Sequence, residues 1–232
     1  MEKMINKMMK HYKMFAGMGL LIVLIAFAFS LQGSSAQAAF FAADKATREA
    51  AGAGSALVAA NVVRNSIPTW VPSLKFMGLG VMLGAITMAL GVIATTLRSL
   101  GTDVMSKWPA AMNPGTPEKP RSAKMFPMIM MMGWMALLIG LIWAFALNGT
   151  VSSYWAHSIA NELNPAAAGS ALLQQLGVIQ ASLPWLAALR FLGMGLVLTA
   201  ITVALTVIIR TLQYQNKSLS NFVQASSSAS GD

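Results

Sequence analysis

The sequence predicts an all-α integral membrane protein with four transmembrane helices, formed by two tandem parallel copies of a two-helix hairpin with outer-side helical inserts. Two observations lead to this prediction. Hydrophobic residues make up 56% of the 232 residues and charged residues only 10%, a balance outside the usual range of soluble domains. The second observation is an internal repeat, in which the second half of the chain resembles the first.

The repeat is visible as residues that match between the two halves. Lys75 and Phe76 match Arg190 and Phe191, and each pair is 115 positions apart. Further matches at this spacing are Trp70 with Trp185, Gly78 with Gly193, Gly80 with Gly195 and Thr87 with Thr202. A gap of one residue extends the match upstream, to Gly17 with Gly133 and Phe29 with Phe145. These matches predict a duplicated unit of two helices.

Four segments approach or exceed the length of about 20 apolar residues that crosses a bilayer, namely residues 14–31, 76–97, 126–147 and 191–209. Each is expected to be a helix, because a helix satisfies its own backbone hydrogen bonds in lipid. Residues 1–38 also resemble a cleavable signal peptide, with a lysine-rich start and Ala36-Gln37-Ala38 before Ala39. The match of the first span to the third, which is internal, favours a span that is retained.

The distribution of lysine and arginine predicts the orientation. These residues accumulate before the first span, between the second and third spans and after the fourth, and basic residues favour the cytoplasmic side. Both termini are therefore expected to be cytoplasmic, and the basic N-terminus suggests the cytoplasmic membrane of a prokaryote. The net charge of +9 is then explained by topology and anionic lipid rather than by nucleic acid.

The organisation follows from these spans. Residues 1–100 and 125–213 are the two repeats, residues 101–124 a proline-rich cytoplasmic linker and residues 214–232 a disordered polar tail. The outer inserts are expected to be largely helical, with breaks at Gly52, Gly54 and Asn164-Pro165. Before each second span, Pro68 and Pro184 are expected to end the outer helix, with Trp70 and Trp185 at the headgroup level.

Small residues form stripes on the second and fourth predicted spans. They recur every three or four positions, which places them on one helix face: Gly80, Gly84, Thr87 and Gly91 in the second span, and Gly195, Thr199, Thr202 and Thr206 in the fourth. Such faces let helices approach closely in lipid, and we interpret both as helix-packing surfaces. The alternative is a solute path lined by Thr87, Thr199, Thr202 and Thr206.

Lys75 and Arg190 occupy matching positions near the start of the second and fourth spans. Charged side chains at such positions usually extend to the membrane interface. Together with Trp70 and Trp185 they are predicted to contact lipid or a partner protein.

Catalytic chemistry has little support in the sequence. The chain has no cysteine, and no Asp or Glu lies in a predicted span, which disfavours thiolate chemistry and proton relays. No catalytic residue and no cofactor is expected. One pattern could bind a metal ion. Thioether sulfurs are soft ligands suited to Cu(I), and several lie with one imidazole at the predicted cytoplasmic ends of the spans: Met4, Met8, His11, Met128 and Met132. Methionine is equally suited to packing membrane helices.

Few motifs for chemistry and several faces for packing predict a non-catalytic integral membrane subunit of a larger multi-subunit complex. Its expected partners are other integral membrane subunits and lipids. The alternatives are a small-solute channel or permease, and a copper-handling protein that serves a membrane metalloenzyme.

Overall fold

The computed structural model describes residues 11–109, 122–165 and 169–229, and all regular secondary structure in these ranges is helical. Six helices lie within them, in the order long, short, long, long, short, long. Their bounds are α1 (Tyr12–Ala42), α2 (Lys45–Glu49), α3 (Ala56–Met105), α4 (Ser122–Tyr154), α5 (Ile159–Leu163) and α6 (Ser170–Ala229).

Each of the four long helices contains a segment that is long and apolar enough to cross a membrane. Helices α1, α3, α4 and α6 have 31, 50, 33 and 60 residues, well above the roughly 20 that a bilayer requires. The predicted all-helical class and the four apolar spans are confirmed. These are the features of an integral membrane protein.

The prolines that were expected to end the outer helices lie inside long helices. Pro68 and Pro72 fall within α3, and Pro184 falls within α6, so each outer segment continues into the following span as one helix. Proline removes a backbone donor, but its φ is helical, and membrane helices tolerate it where neighbouring groups satisfy the freed carbonyl. The prediction that Pro68 and Pro184 are helix ends was wrong.

The connection between α1 and α3 contains the short helix α2. The Asp44 carboxylate caps α2, accepting hydrogen bonds from the Thr47 backbone N–H at 2.9 Å and the Thr47 hydroxyl at 2.7 Å. Gly54 has a φ of +79°, a left-handed conformation that glycine adopts without strain. The predicted interruption at Gly52 and Gly54 is confirmed, since both lie in the break between α2 and α3.

The connection between α4 and α6 has a similar plan. Helix α5 is five residues long and ends at Leu163, with Asn164 as its C-cap residue. Gly169, with a φ of +115°, then precedes α6. The predicted break near Asn164 is therefore confirmed.

The C-terminal segment differs from its prediction. Helix α6 continues to Ala229, so residues 214–229 are helical where a disordered tail was expected. Polar composition argued for disorder, but here the segment makes packing contacts: Gln215 donates from Nε2 to the Leu97 carbonyl at 2.7 Å. Half of the predicted linker at 101–124, residues 110–121, falls outside the described residues. Its described part includes the end of α3 at Met105 and the start of α4 at Ser122.

The chain divides into two compact units. The first unit comprises Gly17–Met82 and Gly133–Gly195, and it contains α2 and α5 together with parts of the four long helices. One of its hydrophobic cores joins α4 and α6, and consists of Ala144, Leu147, Val151, Tyr154, Leu172, Ile179 and Leu186. A smaller core of Phe40, Ala51, Val58 and Ile159 fixes the two short connections against each other.

Glycines allow the long helices of the first unit to approach closely. A Cβ on Gly78 of α3 would lie 2.9 Å from the Gly19 carbonyl oxygen of α1, and one on Gly193 of α6 would lie 3.1 Å from the Gly133 carbonyl oxygen of α4. Both distances are shorter than ordinary side-chain contacts, so larger residues would push these backbones apart. Leu137 of α4 is buried against Gly193 and also against Gly80 of α3.

The second unit comprises the described residues of Met1–Ala16, Leu83–Met132 and Leu196–Asp232. Beside the Gln215 hydrogen bond, the rings of Trp108 and Phe222 stack with centroids 4.4 Å apart and planes inclined by 20°. This contact fixes the extended part of α6 against the turn that follows α3.

Candidate functional site

The small-residue stripe on α3 is enclosed by the protein. Gly80, Gly84, Thr87 and Gly91 are all buried. The Trp134 indole N–H donates to the Gly80 carbonyl at 2.8 Å, and the Thr87 hydroxyl donates to the Leu83 carbonyl at 3.1 Å. This stripe is therefore buried within the chain.

The matching stripe on α6 has the opposite exposure. Gly195, Thr199 and Thr202 are exposed and Thr206 is partly exposed. In the same stretch of the helix, residues 193–206, the buried residues are Gly193, Val197, Ala200 and Ala204. At about 100° per residue, the stripe and the buried residues lie on nearly opposite sides of α6. The α6 stripe therefore faces away from the rest of the chain.

The four threonines that could line a solute path are not in one environment. Thr87 is completely buried, whereas Thr199 and Thr202 are exposed on α6. The hydroxyls of Thr202 and Thr206 donate to carbonyls of their own helix, at 3.2 and 2.9 Å. The structure does not bring the predicted set together.

Arg190 is buried inside the chain, with 9% of its surface exposed. Its Nε donates to the Ser73 hydroxyl at 2.7 Å and its Nη2 donates to the Thr69 carbonyl at 3.0 Å, so the guanidinium joins α6 to α3. This differs from the expectation that the side chain extends to the interface. In the sequence, Arg190 stands at the end of the predicted span. In the structure, α6 continues for a further 20 residues on the N-terminal side of Arg190, from Ser170, and can bury the charge against α3.

Lys75 does not share this environment. It is partly exposed and borders an open cavity of about 220 Å³ between α1 and α3, with Ser30, Ser34 and Gln37 among its lining residues. The lipid or partner contact predicted for Lys75 stays a prediction.

Trp70 and Trp185 also differ in their surroundings. Trp70 stacks on Phe145 of α4 with centroids 5.1 Å apart, and Phe29 of α1 meets it edge to face at 4.8 Å. Trp185 is 40% exposed and lies 5.4 Å from Trp143 between ring centroids. Trp70 therefore packs within the chain, while Trp185 keeps a surface that lipid or a partner can contact.

The candidate copper ligands are only partly described. Met4 and Met8 lie outside the described residues, and His11, Met128 and Met132 are all exposed. Within the described ranges, no three His, Asp or Glu side chains come together as a metal site.

A polar pocket that the sequence did not predict lies where α2, α3 and α5 meet. Asn61 of α3 is completely buried; its Nδ2 donates to Glu162 Oε2 of α5 at 2.8 Å, and its Oδ1 accepts from Arg64 Nε at 2.8 Å. We call this the cationic pocket, an open cavity of about 370 Å³ lined by Phe40, Phe41, Lys45, Arg48, Glu49, Asn61, Arg64, Trp155, Ile159, Glu162 and Leu163.

Burial changes the acid–base behaviour of Glu162 in this pocket. The carboxyl is 9% exposed, and loss of hydration raises its pKa to about 7, although the Asn61 hydrogen bond and the Arg64 charge act in the opposite direction. The sequence carried no direct signal for this site, because Asn61 and Glu162 are 101 positions apart.

The chain matches no protein-family model, and no curated protein or solved structure shows significant similarity to it.

Proposed function

We propose that this chain is a non-catalytic integral membrane subunit that packs within a larger multi-subunit membrane complex. The observation that carries the proposal is the stripe of Gly195, Thr199, Thr202 and Thr206 on the outward side of α6. Its counterpart on α3 is buried inside the chain. The same kind of surface is therefore buried on α3 and exposed on α6. Small residues are the usual means of helix association in lipid.

The proposed architecture is two tandem parallel copies of a two-helix hairpin. Three sets of contacts support it. Phe76 and Phe191, which match in the repeat, meet edge to face, and Trp70 contacts both Phe29 and Phe145, which also match. Close glycine approaches join α1 to α3 and α4 to α6. With two spans in each copy, both copies have the same orientation, and we place both termini in the cytoplasm of a prokaryote.

The test is gentle solubilisation of native membranes, separation on a native gel and mass spectrometry of the chains that migrate together. We expect stoichiometric migration with other membrane proteins. Gly195→Leu should disrupt the larger species because it fills the outward stripe. Gly17→Leu is the matched control, since Gly17 is also exposed in an apolar helix and neither glycine has an atom within 4 Å of an added Cβ.

Migration of the parent chain alone would overturn the proposal. Equal disruption by Gly195→Leu and Gly17→Leu would instead reject the α6 stripe as the contact surface. In either case, flux assays in reconstituted vesicles and Cu(I) titration would then test the channel and copper alternatives.

A further inference from the structure

The cationic pocket holds two guanidinium groups over the same pair of aromatic rings. The Arg64 guanidinium carbon lies 3.9 Å from the Phe40 ring centroid and 4.9 Å from that of Phe41. The Arg48 carbon lies 4.9 Å from the Phe41 centroid and 5.5 Å from that of Phe40. Each charge is attracted to the ring faces, but the two charges repel each other. Burial lowers the pKa of Arg64, and the nearby Arg48 charge lowers it further.

The carboxylates of the pocket do not fully balance these charges. Glu49 pairs with Lys45 at 3.6 Å on the exposed side of α2. Glu162 is the second carboxyl, and Asn61 stands between it and Arg64, bonded to both. Two guanidinium groups therefore face one buried carboxyl that is held at a distance from Arg64.

Two buried polar atoms of the pocket have no hydrogen-bond partner among the described residues. They are Nε of Arg48, a donor, and Oε1 of Glu162. Glu162 is more than nine-tenths buried, so its free oxygen belongs to the lining rather than to solvent. A buried polar atom without a partner is unfavourable, and a ligand that bonds to it relieves that cost.

We propose that the cationic pocket binds an anionic alkyl phosphate. Arg48 and Arg64 present planar guanidinium groups, which match phosphate oxygens with paired donors. Glu162, when protonated, donates from its free oxygen to a third phosphate oxygen. Phe40, Phe41 and Trp155 provide the apolar wall for the alkyl substituent, and the cavity of about 370 Å³ lies in the range of small-ligand sites.

Two sources can supply this chemistry: the headgroup of an anionic phospholipid, or a soluble phosphate ester. A membrane protein is surrounded by the first, and basic pockets on such proteins bind headgroups. Both sources present a phosphate group to the pocket, and the experiment below distinguishes them. The cationic pocket is a different surface from the α6 stripe.

Binding should depend on pH through Glu162. Burial raises the pKa of this carboxyl to about 7. Below that pH the neutral acid donates a hydrogen bond to the phosphate, whereas above it the carboxylate repels the anion. The other ionisable groups around it come from three elements: Lys45, Arg48 and Glu49 from α2, Arg64 from α3 and Tyr154 from α4. Burial raises the pKa of the Tyr154 hydroxyl, so this group does not titrate near neutral pH.

The test uses the purified full chain in mild detergent. Native mass spectrometry measures retention of phosphatidylglycerol against phosphatidylcholine of the same acyl chains. Calorimetry with glycerol 3-phosphate measures binding of a soluble phosphate ester. The variants are Arg48→Gln with Arg64→Gln, and Arg48→Gln alone. The matched control is Arg210→Gln with Lys217→Gln, which also removes two charges but from exposed positions on α6.

We expect the parent chain to retain phosphatidylglycerol preferentially and the Arg48 and Arg64 double variant to bind at least tenfold more weakly, with the control unchanged. Binding of glycerol 3-phosphate with similar affinity would assign a soluble ester, and binding of the lipid alone would assign a headgroup. Arg48→Gln alone covers the case in which the double variant does not fold, because Arg48 is only partly buried; we expect at least a threefold loss. A parent that binds neither probe, or a folded Arg48→Gln variant with parental affinity, would overturn the proposal.

The pH dependence supplies a second readout. Retention by the parent should fall severalfold between pH 6 and pH 8, and Glu162→Gln should remove that fall because glutamine keeps the hydrogen-bonding shape without titrating. A pH dependence unchanged in Glu162→Gln would show that Glu162 does not contact the bound anion.

Discussion

The rings of Phe76 and Phe191 meet edge to face, with centroids 5.4 Å apart and planes inclined by 79°. The two residues stand at matching positions of the proposed repeat, one on α3 and one on α6. When two copies of a unit are related by a two-fold axis, residues near the axis contact their own counterparts. The Phe76–Phe191 contact is therefore the arrangement expected if the axis of the proposed repeat passes between them.

This contact predicts energetic coupling between the two phenylalanines. Phe76→Ala and Phe191→Ala together should destabilise the protein by less than the sum of the single changes, with a coupling of about 0.5–1.5 kcal/mol. The measurement is the shift in thermal unfolding midpoint in detergent. Leu163→Ala, an exposed position on α5, should instead be additive with Phe76→Ala. Additive behaviour of the two phenylalanines would mean that the ring contact contributes nothing.

The hydrogen bond between Arg190 and Ser73 predicts that the stability of the protein depends strongly on the Ser73 hydroxyl. Ser73→Ala removes the hydroxyl that accepts from Arg190 Nε at 2.7 Å and leaves a buried charged donor without a partner. Hydrogen bonds to charged groups contribute about 1.5–3 kcal/mol, so we expect a loss of that size. In an Arg190→Met background the same serine change should have a much smaller effect. An equal loss in both backgrounds would mean that Ser73 stabilises the protein by another contact.

The raised pKa of Glu162 predicts that the stability of the protein falls as the pH rises. Its pKa rises from 4.5 in the unfolded chain to about 7 in the folded protein, so folding favours the protonated form. The stabilising contribution is present below about pH 4.5 and is lost as the pH rises through about 7. Relative to Glu162→Gln, the parent should lose about 1–3 kcal/mol between pH 5 and pH 8. Thermal midpoints across this range test it, and parallel profiles of the two proteins would contradict it.

The glycine approach of α1 to α3 predicts opposite signs for two identical substitutions. Gly78→Ala places a Cβ 2.9 Å from the Gly19 carbonyl, which is backbone and cannot rotate away, so we expect destabilisation of about 1–3 kcal/mol. Gly149→Ala on α4 meets open space and should stabilise its helix slightly, by about 0.5–1 kcal/mol. Unfolding midpoints of both variants provide the comparison. Equal effects would show that helix propensity, rather than packing, decides both.

The sequence predicts which residues of each small-residue stripe share a helix face, but not whether that face is buried. Periodicity predicts that Gly80, Gly84, Thr87 and Gly91 share one helix face, because 3.6 residues per turn follows from the backbone alone. It could not show that this face is buried while that of Gly195 and Thr199 is exposed. Burial depends on which helix lies opposite, and a single helix does not contain that information.

At the prolines and in the tail, local sequence preferences likewise did not predict the observed helices. Pro68 and Pro184 are local signals of helix ends, yet α3 and α6 run through them. Polar composition after residue 213 indicated disorder, yet Gln215 and Phe222 pack in the second unit. In the tail, the contacts of Gln215 and Phe222 outweighed a weak local preference, whereas the helical φ of proline is compatible with a continuing helix.

The sequence by itself determined the all-helical class, the four apolar spans and the glycine breaks between them, because hydrophobic length and backbone conformation are local properties. Only the tertiary structure decided that Arg190 is buried against Ser73 and Thr69, and that Asn61 joins Arg64 to Glu162 across 101 positions. These are pairings of polar groups between distant segments. Their partners are selected by how the helices pack, since a buried charge or amide must bond to whichever group lies beside it.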